Sequence, residues 1–162
     1  MKNLGKVFEE NWRKSIPEDI FYYRFRDSSG AWSGNNQLRF TPSNIADNMI
    51  FYDFKLFLIE LKSHKGKSIP LDKIIGNKTK EKQIKDLTEA NKFDGIYSSI
   101  IVFFSDLEKC YELPIDEFNE FLEKEDRKSI PVEYFQQRGF EIEAQKLKTN
   151  YRFNVVKWLK EF

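Results

Sequence analysis

Two carboxylates and a lysine, Asp47, Glu60 and Lys62, sit in a stretch otherwise dominated by Ile50, Phe51, Tyr52, Leu56, Phe57, Leu58, Ile59 and Leu61. Charged groups inside a hydrophobic hairpin are costly unless they are paired or have a task. The period of two in a strand puts Glu60 and Lys62 on one face and Leu61 on the other. A turn at Asp53-Phe54-Lys55 would fold the stretch into a hairpin and set Asp47, at the start of its first strand, beside Glu60, at the end of its second. The chemistry this trio suits is metal-assisted phosphodiester hydrolysis. A hard divalent ion on carboxylate oxygens neutralises charge on the phosphate and supplies hydroxide near neutral pH. Mg²⁺ takes only one or two protein carboxylates, so Asp47 and Glu60 with the Leu61 backbone carbonyl would suffice, and Mn²⁺ can substitute. Lys62 can position or deprotonate the attacking water and stabilise the pentacovalent charge. The competing reading makes Asp47 a turn residue and Glu60–Lys62 a surface ion pair. For a Glu-x-Lys alone that reading wins; the apolar strand around it argues the other way.

The elements that must hold these residues follow from pattern. Asn3 can cap a helix to about Ser15, with Leu4, Val7, Phe8 and Trp12 on its apolar face. Ile16-Pro17 ends it. Glu9 borders that face and could reach a metal through water; a solvated acid is an equal alternative. Ile20 to Phe25 reads as a strand. The segment from Asp27 to Asn44 has two Gly, three Asn, four Ser and one Pro, a long loop carrying Trp32, Arg39 and Phe40. His64 to Pro70 breaks the pattern, which makes His64 an incidental loop histidine. Thr79 is a plausible cap for a helix from Lys80 to Lys92, closed by Phe93-Asp94-Gly95. That helix carries Gln83, an amide able to orient a phosphate or a water. Tyr97 to Phe104 suits a strand buried on both faces. A short strand at Lys109–Leu113 follows. Pro114 starts a further helix, a short helix runs from Pro131 to Arg138, Phe140–Ile142 is extended, and a tail helix carries Tyr151 to Leu159.

A chain of 162 residues with 16 Phe, seven Tyr and three Trp can build a real core in one domain. Its single cysteine, Cys110, excludes an internal disulfide and a Cys/His metal site, and fits a reducing cytoplasm. Cys110 is expected in a strand, facing the core. No apolar run reaches transmembrane length, and the first residues lack the apolar region of a secretory signal. The net charge of +1 conceals zones. From Lys62 to Lys92 nine lysines face four acids, while from Ser105 to Glu143 twelve acids face five bases. A basic zone directly after the candidate site suits a polyanion. The acidic zone is expected to be a solvated face.

Together these residues carry a resemblance. A helix with Glu9, a strand, a hairpin with Asp47 and then Glu60-Leu61-Lys62, a helix with Gln83 and a buried strand resemble the PD-(D/E)xK nuclease core. The expected fold is therefore α/β, a restriction-endonuclease-like mixed sheet flanked by helices, in a single nuclease domain spanning 1–162 with 105–162 as a C-terminal extension packed on the core. Within that superfamily, GKVFEENW, IADNMIFYDFKLFLIELKS and KEKQIKDL resemble the RecU-type Holliday junction resolvases of Gram-positive bacteria and their phages. The proline of the nominal motif is absent, Ala46 standing before Asp47. The resemblance implies a Mg²⁺-dependent endodeoxyribonuclease acting on branched DNA, a homodimer that makes paired nicks across a four-way junction, and a recombinase as a further partner. It also implies a projecting element where 27–44 lies, with Arg26, Trp32 and Arg39 toward DNA. Lys65, Lys67, Lys80 and Lys82 are the candidate phosphate contacts of the basic zone. The rival readings are another PD-(D/E)xK nuclease, restriction-like or single-strand specific, and a non-catalytic DNA-binding or recombinase-modulating module on the same fold.

Overall fold

The computed structural model describes residues 3–26 and 44–162. Asn3 caps helix α1 (Leu4–Ser15) by accepting hydrogen bonds from the Gly5 and Lys6 N–H groups, and the helix buries Phe8, Asn11 and Trp12. Strands β1 (Phe21–Arg24), β2 (Asn48–Tyr52) and β3 (Lys55–His64) form an antiparallel meander. The β2–β3 turn is tighter than expected. Asp53 and Phe54 both have positive φ, at 47° and 59°, as in the mirror-image two-residue turns that match strand twist. Lys55 is therefore already in β3, opposite Tyr52.

A crossover returns the chain to the sheet: β4 (Ser68–Pro70), α2 (Asp72–Ile75) and α3 (Lys78–Ala90) lead to β5 (Ile96–Phe104), which pairs parallel with β3. Next come β6 (Lys109–Pro114), α4 (Ile115–Lys124), β7 (Ser129–Pro131), α5 (Val132–Arg138), β8 (Phe140–Ile142), β9 (Ala144–Lys146), β10 (Tyr151–Phe153) and α6 (Val155–Leu159). The main sheet is six-stranded and mixed, in the order β1-β2-β3-β5-β6-β8; β4 pairs with β7 and β9 with β10. This is the expected mixed sheet flanked by helices.

Alternation along the central strands builds two cores. Leu58, Ile100, Val102 and Phe104 face Ile84, Leu87, Phe118, Phe121 and Phe135 of α3, α4 and α5. Phe57, Ile59, Leu61, Ile101 and Phe103 face Phe8, Trp12, Trp158 and Leu159 of α1 and α6. As expected, β5 is buried on both faces, and Cys110 lies wholly buried in β6.

Four expectations need correction. Asn77, not Thr79, caps α3, its side chain accepting from the Lys80 N–H; Thr79 sits inside the first turn. The tail is not one helix: Tyr151–Phe153 pairs antiparallel with β9, and Asn154 then caps the short α6. His64 is a strand residue, because β5 stays paired with β3 as far as His64↔Phe104. The acidic zone is not all solvated, since Glu112 of β6 is 3% exposed.

Candidate active site

The hairpin register determines the site. Asn48 pairs with Ile59, so the next position sets Asp47 beside Glu60. The backbone of Asp47 is tied on both sides: its carbonyl accepts from the Phe25 N–H at 3.0 Å and its N–H donates to the Ile59 carbonyl at 3.1 Å. Its side chain reaches across the hairpin, where Oδ2 accepts from the Leu61 N–H at 2.7 Å. Asp47 is therefore bound to Leu61 through the Leu61 N–H, whereas the Leu61 group expected at a metal is its carbonyl.

Glu60 is the most enclosed member, its side chain 3% exposed and its Oε1 2.5 Å from the Lys62 ammonium. Its second oxygen, Oε2, is buried and accepts no hydrogen bond among the described residues. A buried carboxylate oxygen without a donor is rare, and the Asp47 carboxylate is close enough to share a hydrogen bond with Glu60 when one of them is protonated. Burial, with the charge of Asp47 added, pushes the Glu60 carboxyl up to about 7 against the pull of Lys62. Burial opposes the charge on Lys62, but Glu60 and Asp47 outweigh it and hold the ammonium above the usual lysine value. Lys62 is therefore held as a cation.

At the C-terminal end of β3 the site opens into a groove of about 690 Å³, lined by Asn3, Gly5, Lys62, His64, Lys65, Lys73 and Lys80 among others. Four lysines on one groove give the field a polyanion needs.

Residues 36–160 match the family model of RecU, described as recombination protein U. The chain belongs to the RecU family. It is 32% identical over 170 residues to the SPbeta prophage-derived uncharacterized protein YotM of Bacillus subtilis (strain 168), covering 96% of this chain and 84% of that protein. Among solved structures it is similar to Archaeoglobus fulgidus Hjc, a Holliday junction resolvase from an archaeal hyperthermophile. That likeness has a TM-score of 0.49 and 13% identity, over 84% of this chain and 90% of the other. The RecU match contains Asp47, Glu60, Lys62 and Gln83 and begins after Glu9.

The remaining expected site residues separate into groups. Glu9 is engaged by Arg24 of β1, whose Nη2 lies 2.6 Å from Glu9 Oε2, and its charge is felt at Lys62. Gln83 is half-buried on α3. Lys65 and Lys80 line the groove. Lys67 is exposed beyond it. Lys82 is paired with Asp86 at 2.5 Å, and Arg26 is exposed just after β1. Trp32 and Arg39 lie outside the described residues. Among the described residues no cluster of three or more His, Cys, Asp or Glu side chains is assembled for a metal. Three residues near the site escaped sequence reasoning. Arg24 gave no signal. Tyr22, half-buried and with its hydroxyl pushed up by desolvation to about 12, lies within electrostatic reach of Glu9 and Asp47. His64 could have been found by extending the Glu60–Lys62 alternation one step further.

Proposed function

We propose that this RecU-family chain is a metal-dependent endodeoxyribonuclease that resolves four-way DNA junctions by paired phosphodiester hydrolysis. The observation that carries this reading is the donorless, buried Glu60 Oε2 beside Asp47 and Lys62 at the head of a lysine-lined groove. Asp47 and Glu60, with the Leu61 backbone carbonyl, are the residues that would hold Mg²⁺ or Mn²⁺, and such an ion would lower the pKa of a bound water and neutralise phosphate charge. The residues do the rest. The Lys62 cation orients the attacking water and stabilises charge that develops on the phosphate oxygens. Glu9 and Gln83 orient groups at the margin of the site, with Arg24 holding Glu9 in place. Lys65 and Lys80 bind neighbouring phosphates without reading sequence. Lys67, Lys82, Arg26, Trp32 and Arg39 extend the DNA contact. Residues 1–162 act as one nuclease unit, and a homodimer supplies the second cut.

The test is cleavage of a labelled four-way junction with Mg²⁺, beside linear duplex and single strand of the same sequence. Wild type is expected to cut the junction into paired nicked duplexes, and Lys62→Ala to leave it intact. Equal products from both proteins would overturn the mechanism. Cleavage of linear duplex or single strand in preference to the junction would make the chain a different nuclease.

A further inference from the structure

His64 is on the same face of β3 as Glu60 and Lys62, two residues and about 6.6 Å beyond Lys62 along the strand. Its backbone is locked, the carbonyl accepting from the Ser105 N–H at 2.9 Å. Its Nδ1 lies 3.0 Å from the Lys73 ammonium. An ammonium has only donors, so Nδ1 must accept, the imidazole is neutral and its hydrogen is on Nε2. The ring's other polar contact is to the Ser68 backbone, and the charged groups it feels are Lys73 and Asp106. Across the same groove the Lys80 ammonium donates to the Asp72 carbonyl at 3.0 Å. Lys62, His64, Lys73 and Lys80 all line this groove. Each of the two tethered ammonium groups spends one donor on its tether and keeps two for a ligand. A free lysine side chain loses rotamer entropy when a ligand fixes it; tethering meets that cost before a ligand arrives.

We propose that His64 is a positioning residue: its Nδ1 holds the Lys73 ammonium, and Lys73 with Lys80 forms a preordered subsite for a phosphodiester next to the one that is cut. The inference rests on the nuclease reading above for the identity of the ligand as DNA. His64 itself neither attacks nor transfers a proton. Its value is the geometry it imposes on Lys73, and the separation along β3 makes the subsite address a different phosphate from the one Lys62 serves.

The experiment titrates a fluorescent four-way junction with the full chain in chelator, where no cutting occurs, between about 50 and 200 mM salt. Cleavage with Mg²⁺ is measured in parallel. Lys73→Met should bind about tenfold more weakly at the low-salt end, the loss of one charge-assisted contact, and reduce the salt slope by about 0.9. His64→Leu should show part of that loss in affinity, and in cleavage should raise KM with kcat unchanged. Because His64 acts through Lys73, adding His64→Leu to Lys73→Met should change nothing more. His64→Asn, whose amide oxygen can accept from Lys73, should restore most of the affinity. If His64→Leu does not fold, His64→Phe, which keeps the ring shape without an acceptor, takes its place. Wild-type affinity and KM in His64→Leu would overturn the proposal, as would losses that add in full in the double variant. A wild type that binds the junction without cutting it refutes the nuclease reading alone, and the double-variant comparison still decides the subsite. A wild type that does not bind the junction refutes both.

Discussion

Replacing Glu112 with Gln should make the fold more stable, by an amount that grows with pH. Glu112 is 3% exposed and faces the α1–α6 core, opposite Ile101. Burial pushes its carboxyl up to about 8, a Ser99 hydrogen bond opposing this only in part. The unfolded chain loses this proton near 4.5, so the folded chain binds more protons between the two values. The group's stabilising contribution is complete below 4.5 and is lost as pH rises to about 8. Linkage puts the loss at about 3 kcal/mol at pH 7 and approaching 5 kcal/mol at pH 9. Glutamine keeps the volume and a hydrogen bond to Ser99 but has no proton to lose. Urea unfolding of wild type and Glu112→Gln at about pH 5, 7 and 9 measures the difference directly, because other titrating groups cancel. The two should be nearly equal at the lowest pH, with the variant ahead by roughly 3 kcal/mol near neutrality. Junction cleavage should be unchanged, since Glu112 lies on the sheet face opposite Glu60. A stability difference that stays flat from the lowest to the highest pH would refute the assignment of a buried, protonated carboxyl.

Other expectations concern the site and the hairpin. Glu60→Gln should abolish junction cleavage and leave stability, read by thermal melting, within about 1 kcal/mol of wild type above pH 7, because relief of a disfavoured buried carboxylate is offset by loss of the ion pair with Lys62. Lys62→Met should lower the cleavage rate by about 10²–10⁴-fold while junction affinity in chelator changes little. Asn-Gly in place of Asp53-Phe54 should raise stability by about 0.5–1 kcal/mol, read by urea midpoint, since both positions have positive φ. Gly139→Ala should cost about 1–3 kcal/mol in the same assay, as its Cβ would meet the Glu112 carbonyl oxygen at 2.2 Å.

Much of the candidate site's geometry was readable because strand periodicity is local. The alternation of Glu60, Leu61 and Lys62, and the return of Asp47 across a short turn, need only the hairpin pattern. The buried strand β5 announced itself as an apolar run. What escaped depends on partners distant in sequence. β4 is a strand only because it pairs with Ser129–Pro131, some sixty positions on, and Tyr151–Phe153 extends only because β9 is there to receive it. Glu112 sits in an acidic stretch, and its burial comes from β6 being flanked by β5 and β8, which composition does not register. His64 was misread for the same reason: the end of β3 is set by how far β5 follows it.

The parallel pairing of β3 with β5 has a consequence for how the protein is made. Leu56 pairs with Ile96, 40 positions later. When ribosomal synthesis has just passed Lys62, the three charged residues are all present, yet the strand that flanks Glu60 and Lys62 is not. The hairpin alone exposes Glu60 to water and leaves no walled groove, because Lys73 and Lys80 belong to the crossover that closes only when β5 docks. Pairings this far apart in sequence form slowly. On the function proposed above, the candidate site is completed only once β5 has emerged and paired with β3.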